Sequence, residues 1–354
     1  MKFSLGEIVM QKKITVSGNL LDRNGHLVEC GYATSLIKSY DRNHIKAKKL
    51  RIKEWDYYLI YNNKFGVALT IDDNSYMGLN SFSLLDFENR SEITKSFMSI
   101  MTKGKTNLPP TSKVGDVAVT KKNYSLSFKN DGKTRVLSAT IKKFKDNKDL
   151  SCEFTLTEEP KDSMVIITPF AEKKTHFYYN QKIVGFKVSG SVTLGEEKIV
   201  EFSPENTRGI LDWGRGVWTY KNTWYWGAGA GVIDGKEVGF NIGYGFGDTS
   251  AASENMVFVD GEAYKLEDVK FEIPVDEKGK DDFMKPWKFT SSDGAFEMDF
   301  TPILNRHSNI DVGIIGSNQN QVFGYFNGII KLSDGRAILL KDFLAFAEKV
   351  RNKW

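Results

Sequence analysis

Asp212, Arg215, Asp248 and Glu254 are charged side chains set among tryptophans and glycines. Charge in such company must be paired or change its proton affinity. All four fall within residues 209–255, which also hold four of the chain's seven tryptophans: Trp213, Trp218, Trp224 and Trp226. Two arrangements suit this setting. In one, Asp212 pairs with Arg215 and pins the chain before Trp218. In the other, Asp212 or Asp248 keeps its proton in a dry pocket and serves as a general acid, with Tyr244 as a hydrogen-bond donor. Aromatic walls would give a ligand apolar area, glycines would let it approach the backbone, and lone polar groups would orient it. The candidate catalytic residues are therefore Asp212, Asp248 and Tyr244. The candidate ligand-binding residues are Arg215, Trp218, Tyr220, Trp224, Trp226, Asn241, Phe246, Glu254 and Asn255. The expectation is one cavity in the C-terminal half, lined by Trp218, Trp224, Trp226 and Tyr244, with Asp212, Arg215, Asn241 and Asp248 at its polar end.

Other chemistries lack their residues. The four histidines, His26, His44, His176 and His307, are scattered and give no metal-ligand spacing. His176, beside the expected domain junction, reads either as a proton carrier or as a satisfied junction histidine. There is no nucleophile elbow and no cysteine–histidine pairing. No phosphate-binding glycine loop follows a strand, because the glycines of 243–247 alternate strictly. No metal, nucleotide or flavin is expected. The two cysteines, Cys30 and Cys152, make no disulfide framework, and Cys152 sits on the apolar face of an alternating run.

The elements that must position these groups read as antiparallel strands. Alternation is plain in 124–128, 186–194 and 240–246. Asp-Gly pairs at 131–132, 234–235, 260–261, 293–294 and 334–335 favour tight turns between such strands. In 239–247, Phe240, Ile242, Tyr244 and Phe246 share one face, and Asn241 is the only polar side chain on the glycine face. A row of strand glycines implies either a bent barrel wall or close approach of a ligand or a facing domain. Trp224 and Trp226 fall together, with Tyr225 opposite. Two helices are predicted: one near 32–40, and one over 341–353 from the spacing of Leu340, Phe343, Ala347, Val350 and Trp354. The latter reads as a helix packed on a barrel, with a membrane-surface anchor as the alternative. The basic run Lys46, Lys48, Lys49, Arg51 and Lys53 reads as the wet face of a strand, with contact to an acidic partner or anionic membrane as the alternative.

At 354 residues the chain is long enough for two domains, with a boundary between about 158 and 180 and a division taken as 1–165 and 166–354. A net charge of +4, from 49 basic and 45 acidic side chains, argues against nucleic-acid binding. The start of the sequence carries no long apolar region, so no signal peptide is expected, and no stretch is apolar enough to span a bilayer. A cytoplasmic location is the default.

The motifs Asp212-Trp-Gly-Arg-Gly-Val-Trp218, Asn222-Thr-Trp-Tyr-Trp-Gly227, Gly239-Phe-Asn-Ile-Gly-Tyr-Gly-Phe-Gly-Asp248 and Glu254-Asn255 closely resemble the family known as domain of unknown function 2804. That family is distantly similar to a lipocalin-like (calycin) two-barrel superfamily that includes carotenoid 1,2-hydratases, AttH-like proteins, a fungal survival factor and some Diels–Alder cyclases. The resemblance implies an all-β, mainly antiparallel fold of two lipocalin-like β-barrels or strongly bent sheets, here with a C-terminal α-helix. It also implies a pocket, but one fold hosts many functions. The hydratase site resembles a His-x-Trp pair followed by Tyr-x-Asp. Here Gly216-Val-Trp218 lacks the histidine and Tyr244-Gly-Phe246 lacks the aspartate, so only Trp218 and Tyr244 carry over, as pocket-lining candidates.

Three functions stay open. The chain binds a hydrophobic small molecule or lipid; or it is a cofactor-independent lyase, hydratase or cyclase on an apolar substrate; or it is a structural or stress-related protein whose aromatic motif is interdomain core. A convergent buried acid or tyrosine at a pocket favours the enzyme, and a pocket without ionisable groups favours the binder.

Overall fold

The computed structural model describes residues 11–311, 313 and 315–353. Among them, 22 strands form two large, almost wholly antiparallel sheets of thirteen and nine strands, each curled into a half-barrel, and two more make a small parallel pair. The first sheet runs from Gly31–Ala33 to Arg208–Val217, and the second from Lys221–Ile233 to Ala337–Lys353. The chain crosses between them at residues 218–220. Position 165 lies inside the strand Met164–Pro169 of the first sheet, so the sheets divide later than the 165/166 division expected from sequence.

All five Asp-Gly pairs sit in turns between paired antiparallel strands. Asp234 and Asp260 both take φ of +50° ahead of glycines at positive φ, the two-residue turn whose twist matches the flanking strands.

Three hydrophobic cores follow from the alternation. Each sheet fills its own concave side, and a third core lies between the sheets. Strands at the contact are therefore buried on both faces. In Lys53–Tyr61, Tyr58 and Ile60 enter the first core while Tyr57, Leu59 and Tyr61 enter the shared one. In Ala337–Lys353, Phe343, Ala345 and Ala347 enter the second core while Leu344 and Phe346 enter the shared one.

This double burial overturns the predicted C-terminal helix. The segment is a central strand, paired with Lys221–Ile233 on one side and Gly316–Lys331 on the other. A strand apolar on both faces has no clean period of two, and its residues 340, 343, 347 and 350 then also fit helical spacing. Trp354 lies outside the described residues, as does the start of the chain. The predicted helix near 32–40 is likewise absent: strands Gly31–Ala33 and Lys38–Ser39 occupy it. Helix is confined, among the described residues, to two three-residue turns, and none is long and apolar enough to cross a membrane.

The basic run is not a strand face. Lys49–Arg51 is one of those turns, and Lys53 opens the next strand fully buried, its ammonium lowered to about 7 by desolvation. Cys152 is a buried core thiol, pushed up to about 12 by burial.

Candidate functional site

Two cross-strand rows face each other where the half-barrels meet. In the first sheet, register places Lys182 beside Asp212, Asp212 beside Tyr57, Tyr57 beside Thr70 and Thr70 beside Ser81. In the second, Gly243 lies beside Trp226, Trp226 beside Glu348, Glu348 beside Gln321 and Gln321 beside Arg306. Between the rows is a cavity of about 170 Å³, closed by Trp55, Tyr178, Trp218, Trp224 and Phe246 and bearing Asp72 and Glu254. A cavity of this size suits a ligand of benzene-like dimensions. It lies between the sheets and draws on both, rather than within the C-terminal half.

Two glycines make the room. A Cβ on Gly214 would lie 2.1 Å from the indole of Trp55, and one on Gly243 would lie 2.7 Å from Oε1 of Glu254. The glycines thus admit an aromatic wall and a carboxylate.

The polar groups form two sets, one joining Asp212, Lys182, Trp226, Asn241 and Glu254 and the other centred on Glu348. Lys182 Nζ lies 2.7 Å from Asp212 Oδ1 and 3.9 Å from the centre of the Trp226 ring. Asn180 donates to the same Asp212 oxygen at 2.6 Å. Trp226 donates to Asn241 at 2.7 Å, and Asn241 donates to the Glu254 carboxylate at 3.3 Å. Trp224 donates to Glu348 Oε1 at 3.0 Å, and Gln319 donates to its other oxygen at 3.4 Å.

Burial dominates the proton affinities. It lifts Glu348 to about 6 against the donated hydrogen bond of Trp224, and it raises Glu254. Asp72, fed by the backbone N–H of Leu79 and by Asn74 at 2.9 Å, is lifted to about 7. The Tyr178 hydroxyl is held well above the usual phenol range by burial and then by the charges of Asp212, Glu254 and Glu348. At neutral pH the cavity thus holds a tyrosine O–H beside carboxyl groups poised to gain or lose a proton.

Of the residues singled out from sequence, Asp212, Trp218, Trp224, Trp226, Phe246 and Glu254 line the cavity. Asn241 stands behind it as a support. Asn255 is a further support: its side chain accepts from Gly243 N–H at 2.7 Å and donates to Glu267 O at 3.0 Å. Four others lie elsewhere. Arg215 points into the first core, where it binds Asp56 at 2.9 Å and the carbonyls of Trp55, Gly214 and Pro109. The expected Asp212–Arg215 pair does not form, because residues three apart on a strand face opposite ways. Tyr244 enters the second core, stacked on Tyr225 at 4.4 Å with its hydroxyl accepting from Phe271 N–H. Asp248 is exposed in a turn, its carboxyl held low by the backbone N–H of Ser250. Tyr220 is exposed in the inter-sheet link. Phe246 leaves the face of Tyr244 because Gly245 and Gly247 take φ of +89° and +79° and break the alternation.

Sequence reasoning missed Tyr178, Lys182, Asp72, Arg306 and Glu348. The one signal was a charged residue inside an otherwise apolar run, as at Lys182 before Ile183-Val184 and at Glu348 after Phe346-Ala347. His176 is buried outside the cavity, lowered to about 4 by desolvation. Among the described residues, no three His, Cys, Asp or Glu side chains are grouped to hold a metal ion.

The family described as domain of unknown function (DUF2804) matches residues 11–354. No curated protein matches the sequence. Among solved structures, a protein described as AttH from Nitrosomonas europaea aligns with a TM-score of 0.51 at 11% identity, over 88% of this chain and 97% of that one. A kievitone hydratase from Nectria haematococca aligns at 0.46 and 12% identity, over 85% and 88% of the two chains. CghA aligns at 0.46 and 11% identity, over 96% and 97%. The likeness to the AttH protein is one of fold.

Proposed function

The chain belongs to the DUF2804 family, and from that premise we propose that it is a cofactor-independent enzyme working by proton transfer on a small, largely apolar molecule held between its two sheets. The reading is carried by one observation: Asp212, Glu254, Glu348 and Tyr178 together line one cavity walled by aromatic rings. A site for binding alone has no need of carboxyl groups whose burial opposes their ionisation. Glu348, near 6, is the residue assigned to carry the proton. Lys182 fixes Asp212 by their ion pair at 2.7 Å, and Tyr178 donates a hydrogen bond to a substrate oxygen or nitrogen. The reaction class is addition, elimination or cyclisation at an unsaturated carbon, as in a hydratase, lyase or cyclase.

Simple binding of a small apolar ligand is the second reading. It is favoured by the edge-on packing of Trp218 and Trp224 against Phe246, at 5.2 and 5.3 Å, which gives a rigid apolar wall.

The test is to purify wild type and Glu348→Gln from the native host and identify the bound small molecules by mass spectrometry. The enzyme reading expects the variant to retain a compound that wild type converts, differing by one water or by isomerisation. The same unaltered compound in both would leave only the binding reading. No compound in either, with no quenching of tryptophan fluorescence by a panel of one-ring molecules, would remove the cavity as a ligand site.

A further inference from the structure

We infer that the ligand of the inter-sheet cavity carries a compact positive charge, a protonated amine, beside its apolar body. The inference rests on the acid–base reading above and narrows its substrate class.

The lining carries four carboxyl groups, Asp72, Asp212, Glu254 and Glu348, against two cations, Lys182 and Arg306. Lys182 is taken up by Asp212 at 2.7 Å. Lys53 and Lys265 lie behind the wall near Asp72 and Glu254, but neither lines the cavity. Burial lowers both to about 7, and Lys265 is spent on Ser253 and two backbone carbonyls. Arg306 faces Glu348 from the same lining, which leaves Asp72 and Glu254 as acidic side chains on the cavity, hydrogen-bonded only to neutral groups.

The rings around them suit a cation. An ammonium over an indole face is attracted by the ring quadrupole, more strongly when water is excluded. The protein already holds one ammonium in this way: Lys182 lies over Trp226 with a carboxylate beside it. Trp224 offers a second such place. It is half-buried, lines the cavity, and donates its N–H to Glu348, which pushes electron density onto the ring face.

An unpartnered polar atom points the same way. Tyr178 is 6% exposed, and its hydroxyl hydrogen-bonds no other described residue. Buried hydroxyls are normally satisfied. This one lines the cavity beside three carboxylates, where its oxygen can accept an N–H from an ammonium.

The experiment compares two probes of equal shape, benzylammonium and benzyl alcohol, by isothermal titration calorimetry on the full chain. We expect benzylammonium to bind about ten-fold tighter. Glu254→Gln, checked for an unchanged circular dichroism spectrum, should shrink that difference. Equal or tighter binding of benzyl alcohol overturns the charge inference while leaving the acid–base reading in place. Failure of both probes at millimolar concentration overturns both. If Glu254→Gln does not fold, the two-probe comparison on wild type still decides.

Discussion

Single residues set both the shape and the chemistry of the cavity. Gly214 is present because Trp55 occupies the space of its missing side chain. Gly214→Ala should force the indole out of the cavity and destabilise the protein by about 1–3 kcal/mol, the usual cost of overpacking. Thermal unfolding checks this, and an unchanged melting temperature would remove the packing argument. Glu348 allows a second test. Its native carboxyl sits near 6, above the ordinary 4.5, because burial disfavours the charge. The native state therefore holds this proton more tightly than the unfolded chain does. The stability linked to it is fully present below about 4.5 and is lost as pH rises through about 6. Glu348→Gln removes that loss and still offers Trp224 an oxygen. Relative to wild type, the variant should be more stable at pH 7.5 than at pH 4.5 in denaturant titrations. A difference that is flat with pH, or grows toward acid, would show that Glu348 ionises freely.

At the scale of elements, the C-terminal strand is the keystone of the second sheet. Ala337–Lys353 bonds to a strand on either side and supplies Leu344 and Phe346 to the shared core and Glu348 to the cavity. Proline in a central strand removes a ladder hydrogen bond and is not tolerated there. Ala345→Pro should therefore abolish cooperative unfolding and ligand quenching together, whereas an external helix would lose only local structure. A folded variant with native ligand binding would contradict the central position. The sequence pattern could not separate these alternatives, because it records how apolar a segment is and not how many partners bury it.

For the whole molecule, the shared core is the decisive feature. Tyr57, Leu59 and Tyr61 from the first sheet pack in one cluster with Trp226, Ala228, Ala230, Leu344 and Phe346 from the second. Arg208 clamps Glu237 across the same junction with two hydrogen bonds, of 2.6 and 2.7 Å. Separating the sheets would expose this apolar surface and open the cavity. The two half-barrels should therefore unfold as one cooperative unit, with calorimetric and van't Hoff enthalpies in agreement. Two resolved heat-capacity peaks would mean that each sheet is stable alone.

Local residue patterns dictate the antiparallel class, the five Asp-Gly turns and the segment that supplies the tryptophan walls. These are local properties: period-two alternation and turn chemistry are written in neighbouring residues. The sequence also brought Asp212, Trp218, Trp224, Trp226, Phe246 and Glu254 forward as candidates, because charge and aromatics stand out among glycines. Which of them face one cavity depends on how the strands pair and pack. Arg215 and Tyr244 sit in the same motifs, yet strand parity turns each into a core of its own sheet. Register then decided the rest. Lys182 meets Asp212, and Glu348 meets Trp226, across strand pairs that are distant in sequence. Side-chain facing repeats every two residues, so a slip of one position would reverse every assignment. No local pattern fixes that register between residues 30 and 122 positions apart; burial of both faces at the junction of the two sheets does.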